Sequence, residues 1–343
     1  MTQLRFGVFD HLDRVDVPLH DFYEQRLQIA KAYDDGGIYG YHVAEHHSTP
    51  LGMAPSPGVF FSAVAQRTQR LRFGPLVYLL PLYHPIRLAE EIAMLDQLSH
   101  GRYQVGVGRG ISPIEATLYG GDPEENKAKF GEVLEILNRG FADGQINFDG
   151  EFFQFHNVPL EVRPKQQPHP PYWYGISSPE SAPQCVARNF NGVTLSRPEA
   201  AAAICKQYLH EAHVAGRDDL FVGWGTFVVV GDTDEQAMAI ASRAYPVWHK
   251  SFHYLYHAHG RSPVQGERPT TFEGMMAAGQ AIAGSVETVT RIFRERHAQI
   301  GMNYVMAQLV FGDMTLAESL HSIGLFTERV MPALEVAAPT VRA

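Results

Sequence analysis

The chain has 343 residues, 45% of them hydrophobic and 19% charged, with a formal net charge of −9. The length suits one large α/β unit spanning 1–343, and an acidic balance with no basic run argues against nucleic acid or an anionic membrane surface as a partner. Two cysteines, Cys185 and Cys205, are too few for a disulfide framework or a four-thiolate metal site.

Short β-rich runs alternate with stretches of helical spacing. Residues 4–10 (LRFGVFD) predict a first strand, and Phe22, Arg26, Ile29 and Tyr33 mark one face of the helix behind it. Residues 40–46 predict a second strand with a helix over 58–69, and 71–81 a third, followed by a helix striped by Leu88, Ile92 and Leu95. Residues 102–108 predict a fourth strand, with a helix near 124–142. Strands over 171–177, 192–196, 220–231 and 303–311 complete the set. Eight strands alternating with helices predict a parallel (β/α)8 barrel rather than an open doubly wound sheet. Two segments interrupt the rhythm. Residues 144–170 read as a hairpin and a proline-rich approach to the fifth strand, and 250–284 as a long loop that could cover a site. No stretch of 18 apolar residues occurs, and the opening residues lack the apolar core of a signal peptide, so a cytoplasmic protein is expected.

In a barrel the C-terminal strand ends form the active face. Three clusters fall there: Glu45-His46-His47 after the second strand, Arg109 after the fourth, and Ser177-Ser178 after the fifth. Metal binding, proton transfer and loop capping all remain open for the first. Adjacent residues on a strand point to opposite faces, so His46 and His47 fit a shared metal poorly, and no metal is expected. The run VGVGRGIS (105–112) fails the dinucleotide pattern because Ile stands at position 111. What remains is a glycine-lined strand end with one guanidinium, either a phosphate contact or half of a structural ion pair. The turn GISSPES (175–181) offers backbone N–H groups to a phosphate, or simple capping by Ser178.

Taken together, VAEHH, LVYLLPLYHPIRLAEEIAMLDQLSHGRYQVGVGRG, RPKQQPHPPYWYGISSPES and FTERVMPAL resemble the bacterial luciferase-like flavin monooxygenase family, from the first strand to the last helix. The resemblance implies a TIM barrel with insertions in the strand 4–5 and 7–8 regions, usually a homodimer. It implies reduced FMN at the C-terminal mouth, supplied by a separate flavin reductase, and molecular oxygen attacking the 4a carbon of its ring to oxygenate a small organic substrate. His46 matches a catalytic histidine, with Glu45 beside it ordering the site. Leu76-Val77 matches a non-proline cis peptide under the flavin ring. Arg109, Ser177, Ser178 and Lys127 match the phosphate-binding region. Gly108 stands where luciferase has a cysteine near the ring, Ser112 where it has an aromatic residue, and Glu115 where it has an aspartate. The resemblance therefore implies flavin binding rather than light emission. Hydride transfer by FMN or a deazaflavin without oxygen chemistry, and flavin binding without catalysis, are the competing expectations within it.

Overall fold

The computed structural model describes residues 4–110, 112–264 and 266–335; Ile111, which breaks the dinucleotide pattern, lies outside them. Its strands are β1 (Arg5–Asp10), β2 (Gly40–Val43), β3 (Arg72–Pro75), β4 (Tyr78–Leu79), β5 (Val105–Gly108), β6 (Gln145–Asp149), β7 (Gln154–Pro159), β8 (Tyr172–Gly175), β9 (Phe190–Thr194), β10 (Val222–Val230), β11 (Ala281–Gly284) and β12 (Tyr304–Gln308). The main sheet runs β3-β2-β1-β12-β10-β9-β8-β5-β4, every pairing in it parallel. It closes where the Phe73 N–H donates to the Arg102 carbonyl (3.2 Å) and the Gln104 N–H to the Phe73 carbonyl (2.8 Å). With β3 and β4 as two halves of one stave, the ring has the eight-strand order of a TIM barrel. β6 and β7 form the expected antiparallel hairpin.

Local sequence accounts for most of these elements. In the helix Leu19–Asp35 the stripe Phe22, Arg26, Ile29 and Tyr33 is buried, as its spacing requires. All nine residues of β10 are buried, which a strand covered on both faces needs. Thr233, Thr271, Ser285 and Thr315 each accept a backbone N–H at the start of a helix. Inside the barrel, Tyr304 fills the interior beside Trp173 and His42, and a Cβ on Gly7 would overlap its ring.

Three expectations need correction. The third strand is not continuous over 71–81; it breaks between Pro75 and Tyr78, around a cis Leu76–Val77 peptide. The second strand stops at Val43, its last bond to β1 running from the Ala44 N–H to the Asp10 carbonyl (3.0 Å), so residues 45–47 have left the ladder. The segment 250–284 is not one long loop. The helix Asp234–Ala258 runs into it, its Trp248, Leu255 and Tyr256 buried, and a short helix Phe272–Ala277 leads to β11, which pairs with the upper half of β10. A run as short as AIAG carries too little pattern to announce a strand. Among the described residues only 259–264 and 266–271 remain irregular between the two helices.

Candidate active site

A cavity of about 750 Å³ opens at the C-terminal ends of the barrel strands. Glu45, His46, Leu76, Val77, Gly108, Arg109 and Ser177 all line it, contributed by four separate stretches of the chain. The polypeptide leaves β2 after Val43, which frees successive side chains from strict alternation. Glu45 is buried. Its Oε1 pairs with His47 Nε2 (2.7 Å), and its Oε2 accepts from the Leu79 N–H (3.2 Å) and the Tyr83 hydroxyl (3.0 Å). Burial raises the Glu45 pKa, and His47 partly offsets that rise. With both oxygens committed, Glu45 ties the end of β2 to β4. Nε2–H donation from His47 to Glu45 leaves His47 Nδ1 to accept from the Tyr119 hydroxyl (2.8 Å).

His46 turns the other way. Its Nδ1 faces Oε1 of Glu115 at 3.4 Å, a long contact, and the same oxygen accepts the His47 N–H at 2.8 Å. Burial would raise the Glu115 pKa, but the contacts with His46 and the His47 N–H outweigh it and hold the carboxyl below its usual value. A carboxylate only accepts hydrogen bonds, so this contact favours the His46 tautomer that carries its proton on Nδ1. The adjacent histidines thus serve different partners. Among the described residues no group of three or more His, Cys, Asp or Glu is arranged to hold a metal.

On the next stave, a Cβ on Gly108 would overlap Val77, so glycine lets β5 lie against the cis peptide. Arg109 stands exposed at the rim, without a carboxylate or other hydrogen-bond partner among the described residues, which is not the arrangement of a structural ion pair. Ser177 also lines the cavity, whereas Ser178 does not, and its side chain caps no backbone N–H. Lys127 lies exposed in the first turn of the helix Asn126–Asp143, outside the cavity lining.

Sequence reasoning did not single out His11 or Trp248. His11, just past β1, is buried with its ring nearly parallel to His46, centroids 5.9 Å apart. Its Nδ1 accepts from Trp248 Nε1–H (3.3 Å) and lies 3.2 Å from Gln308 Nε2. Burial, then the charges of His46 and Arg268, push its pKa well below the ordinary value, so His11 is neutral at pH 7. Nothing local in the run FDHLDR names Trp248, 237 positions away, as a partner of His11.

A family model described as luciferase-like monooxygenase matches residues 4–303. The uncharacterized protein y4wF of Sinorhizobium fredii is 39% identical over 324 residues, covering 94% of each chain. The oxygenase component of the flavin-dependent trigonelline monooxygenase of Acinetobacter baylyi is 30% identical over 182 residues, 52% of this chain and 50% of that one. Among solved structures, the monooxygenase RslO1 from Streptomyces bottropensis matches with a TM-score of 0.86 at 23% identity, covering 96% of this chain and 99% of that one. The oxygenating constituent of 3,6-diketocamphane monooxygenase from Pseudomonas putida, in complex with FMN, matches with a TM-score of 0.80 at 22% identity, covering 96% and 98%. The barrel, the strand-end cavity and a family match over most of the chain agree: this protein belongs to the luciferase-like monooxygenases and is an oxidoreductase of the flavin-dependent kind.

Proposed function

We propose that the protein uses reduced FMN, delivered by a separate reductase, and molecular oxygen to oxygenate a small organic substrate. The observation that carries this reading is a single cavity with His46, oriented by Glu115, on one wall and the unpaired guanidinium of Arg109 at the rim of another. The residues present fit the cofactor. A space of about 750 Å³ accommodates a flavin and a small molecule together. Gly108 and the Leu76–Val77 peptide offer a flat backbone surface for a ring, and Arg109 with Ser177 offers donors for a phosphate.

Reduced flavin, when bound, supplies the electrons that activate oxygen. The chain's own residues do the rest. Arg109 and Ser177 hold the phosphate end, with Ser178 supporting the turn. His46 Nε2 takes up and returns a proton at the reacting oxygen while Glu115 fixes the ring. Trp248, Phe252, Pro263 and Pro269 keep water from the reacting atoms. The two thiols, Cys185 and Cys205, are free and buried, which suits a reducing cytoplasm. Val59, Met94 and Leu98 are exposed on the adjacent helices Pro57–Arg67 and Pro85–Leu98, a face suited to a second copy of the chain.

Anaerobic titration with reduced and oxidised FMN, followed by rapid mixing with oxygen, tests the reading. Reduced FMN should bind more tightly, and oxygen should be consumed once per bound reduced flavin. Stoichiometric retention of oxidised FMN through purification, or a reduced complex inert to oxygen, would overturn it. Inertness with hydride transfer to a carbonyl acceptor would favour the dehydrogenase-like alternative.

A further inference from the structure

We propose that Arg268 anchors an anionic group of the organic substrate, a carboxylate or a similarly delocalised oxyanion carried on a planar apolar body. This deepens the monooxygenase reading and rests on it for the identity of the substrate site, though not for the binding of the anion.

Arg268 lies on the irregular segment after the helix Asp234–Ala258 and lines the cavity. Its guanidinium sits 5.0 Å from the centre of the Phe252 ring and 5.8 Å from that of Trp248, and these two rings stack 5.1 Å apart at 22°. It has no hydrogen-bond or carboxylate partner among the described residues, and its Nε is fully buried without one. The contrast with the other enclosed arginines is sharp. Arg26 is paired with Asp10, and Arg102 donates to five oxygens. The neighbouring carboxylate, Glu267, instead pairs with His253 at 3.0 Å.

A guanidinium stays charged even where burial depresses its pKa, as it does here. A largely enclosed cation without a counter-charge is costly, so the missing charge belongs to something that enters the cavity. Two anions could supply it, the flavin phosphate or a group on the substrate. Position decides between them. Arg109 leaves β5, whereas Arg268 lies against the Trp248 ring, Trp248 donates to His11 just past β1, and His11 also meets Gln308, the last residue of β12. In the ring of strands β12 is four places from β5, on the opposite wall. The phosphate held at Arg109 is therefore on the far side, and Arg268 faces the substrate end. Its fork matches a carboxylate with two parallel hydrogen bonds, while the Trp248–Phe252 pair gives a planar ring something to pack against.

Isothermal titration with matched pairs tests this without flavin present: benzoate against benzamide, cinnamate against cinnamamide, and phenylacetate against phenylacetamide. At least one carboxylate should bind about 10- to 100-fold more tightly than its amide, the loss expected for a charge-assisted contact. Arg268→Gln should erase that preference, and Arg268→Lys should restore part of it. Arg109→Ala should leave it intact. Equal binding of acid and amide to the wild type, no binding of any of the three acids, or a preference that survives in Arg268→Gln would each overturn the proposal. The wild-type comparison stands even if a variant folds poorly. A parallel titration with reduced FMN and reduced riboflavin separates the sources of the anion. If Arg268→Gln weakens FMN but not riboflavin, Arg268 is a flavin phosphate contact and the proposal fails. Loss of flavin binding by the wild type would instead sink the monooxygenase reading and leave the carboxylate result readable.

Discussion

His46 and His47 are neighbours in sequence and part company in space. His47 is absorbed by Glu45 and Tyr119, while His46 meets Glu115 and lines the cavity. His46→Ala should therefore lower coupled product formation by about 10²- to 10⁴-fold, the usual contribution of an acid–base group, with little change in reduced-FMN affinity. Turnover kept at the wild-type level with a true substrate would remove the proton-handling role. Arg109→Ala makes the opposite prediction. Losing a charge-assisted contact should weaken reduced FMN by about 10- to 150-fold, while reduced riboflavin, which lacks the phosphate, should bind as before. Equal losses for both flavins would take Arg109 out of the phosphate site. His42, deep in the barrel, links protonation to stability. Its Nε2 meets the Tyr304 hydroxyl at 2.9 Å, and burial lowers its pKa from 6.5 to about 3. The unfolded chain binds this proton below pH 6.5 and the folded chain does not until about pH 3. Stability from this group is complete above pH 6.5 and falls by about 1.4 kcal/mol per unit as pH drops through that window. Urea unfolding between pH 4 and 7 should show a shallower pH slope in His42→Gln than in the wild type; identical slopes would contradict it.

Between elements, the first helix is held to the barrel by a buried ion pair set in an apolar stripe. Arg26 Nη1 lies 3.2 Å from Asp10 Oδ2, which also accepts from the Tyr41 hydroxyl at 3.0 Å, while Asp10 Oδ1 accepts the Leu12 N–H at 2.7 Å. Both charged side chains are almost wholly buried, 4% and 1% exposed, so removing one leaves the other uncompensated. Arg26→Ala should destabilise the fold by about 3–5 kcal/mol, measured by denaturant unfolding at pH 7. A loss below about 1 kcal/mol would mean that water reaches Asp10. The same pair anchors the chain just before His11, so the variant should also loosen the wall that carries His11 and Trp248.

For the molecule as a whole, the apolar residues exposed on the helices Pro57–Arg67 and Pro85–Leu98 bear on assembly. Val59 is 73% exposed and Met94 53%. If this face joins two copies, the double variant Val59→Glu, Met94→Glu should halve the mass seen by light scattering and leave the far-UV spectrum unchanged. A dimer that persists would place the interface elsewhere. No described helix is long and apolar enough to cross a membrane.

The alternation of strands and helices was legible in the sequence because each element carries its own period, and the strand ends then placed Glu45, His46, Arg109 and Ser177 on one face. Tertiary structure decided their partners. Glu115 is 69 positions from His46, and Trp248 is 237 from His11. Only closure of the barrel brings them into contact, and no local pattern records who closes against whom. The break in the third strand belongs to the same class, since the packing of Gly108 against Val77 joins two staves. The isolation of Arg268 is the clearest case. A sequence shows that an arginine is present, but whether folding gives it a counter-charge depends on every chain segment that could have reached it, and here none of the described ones does.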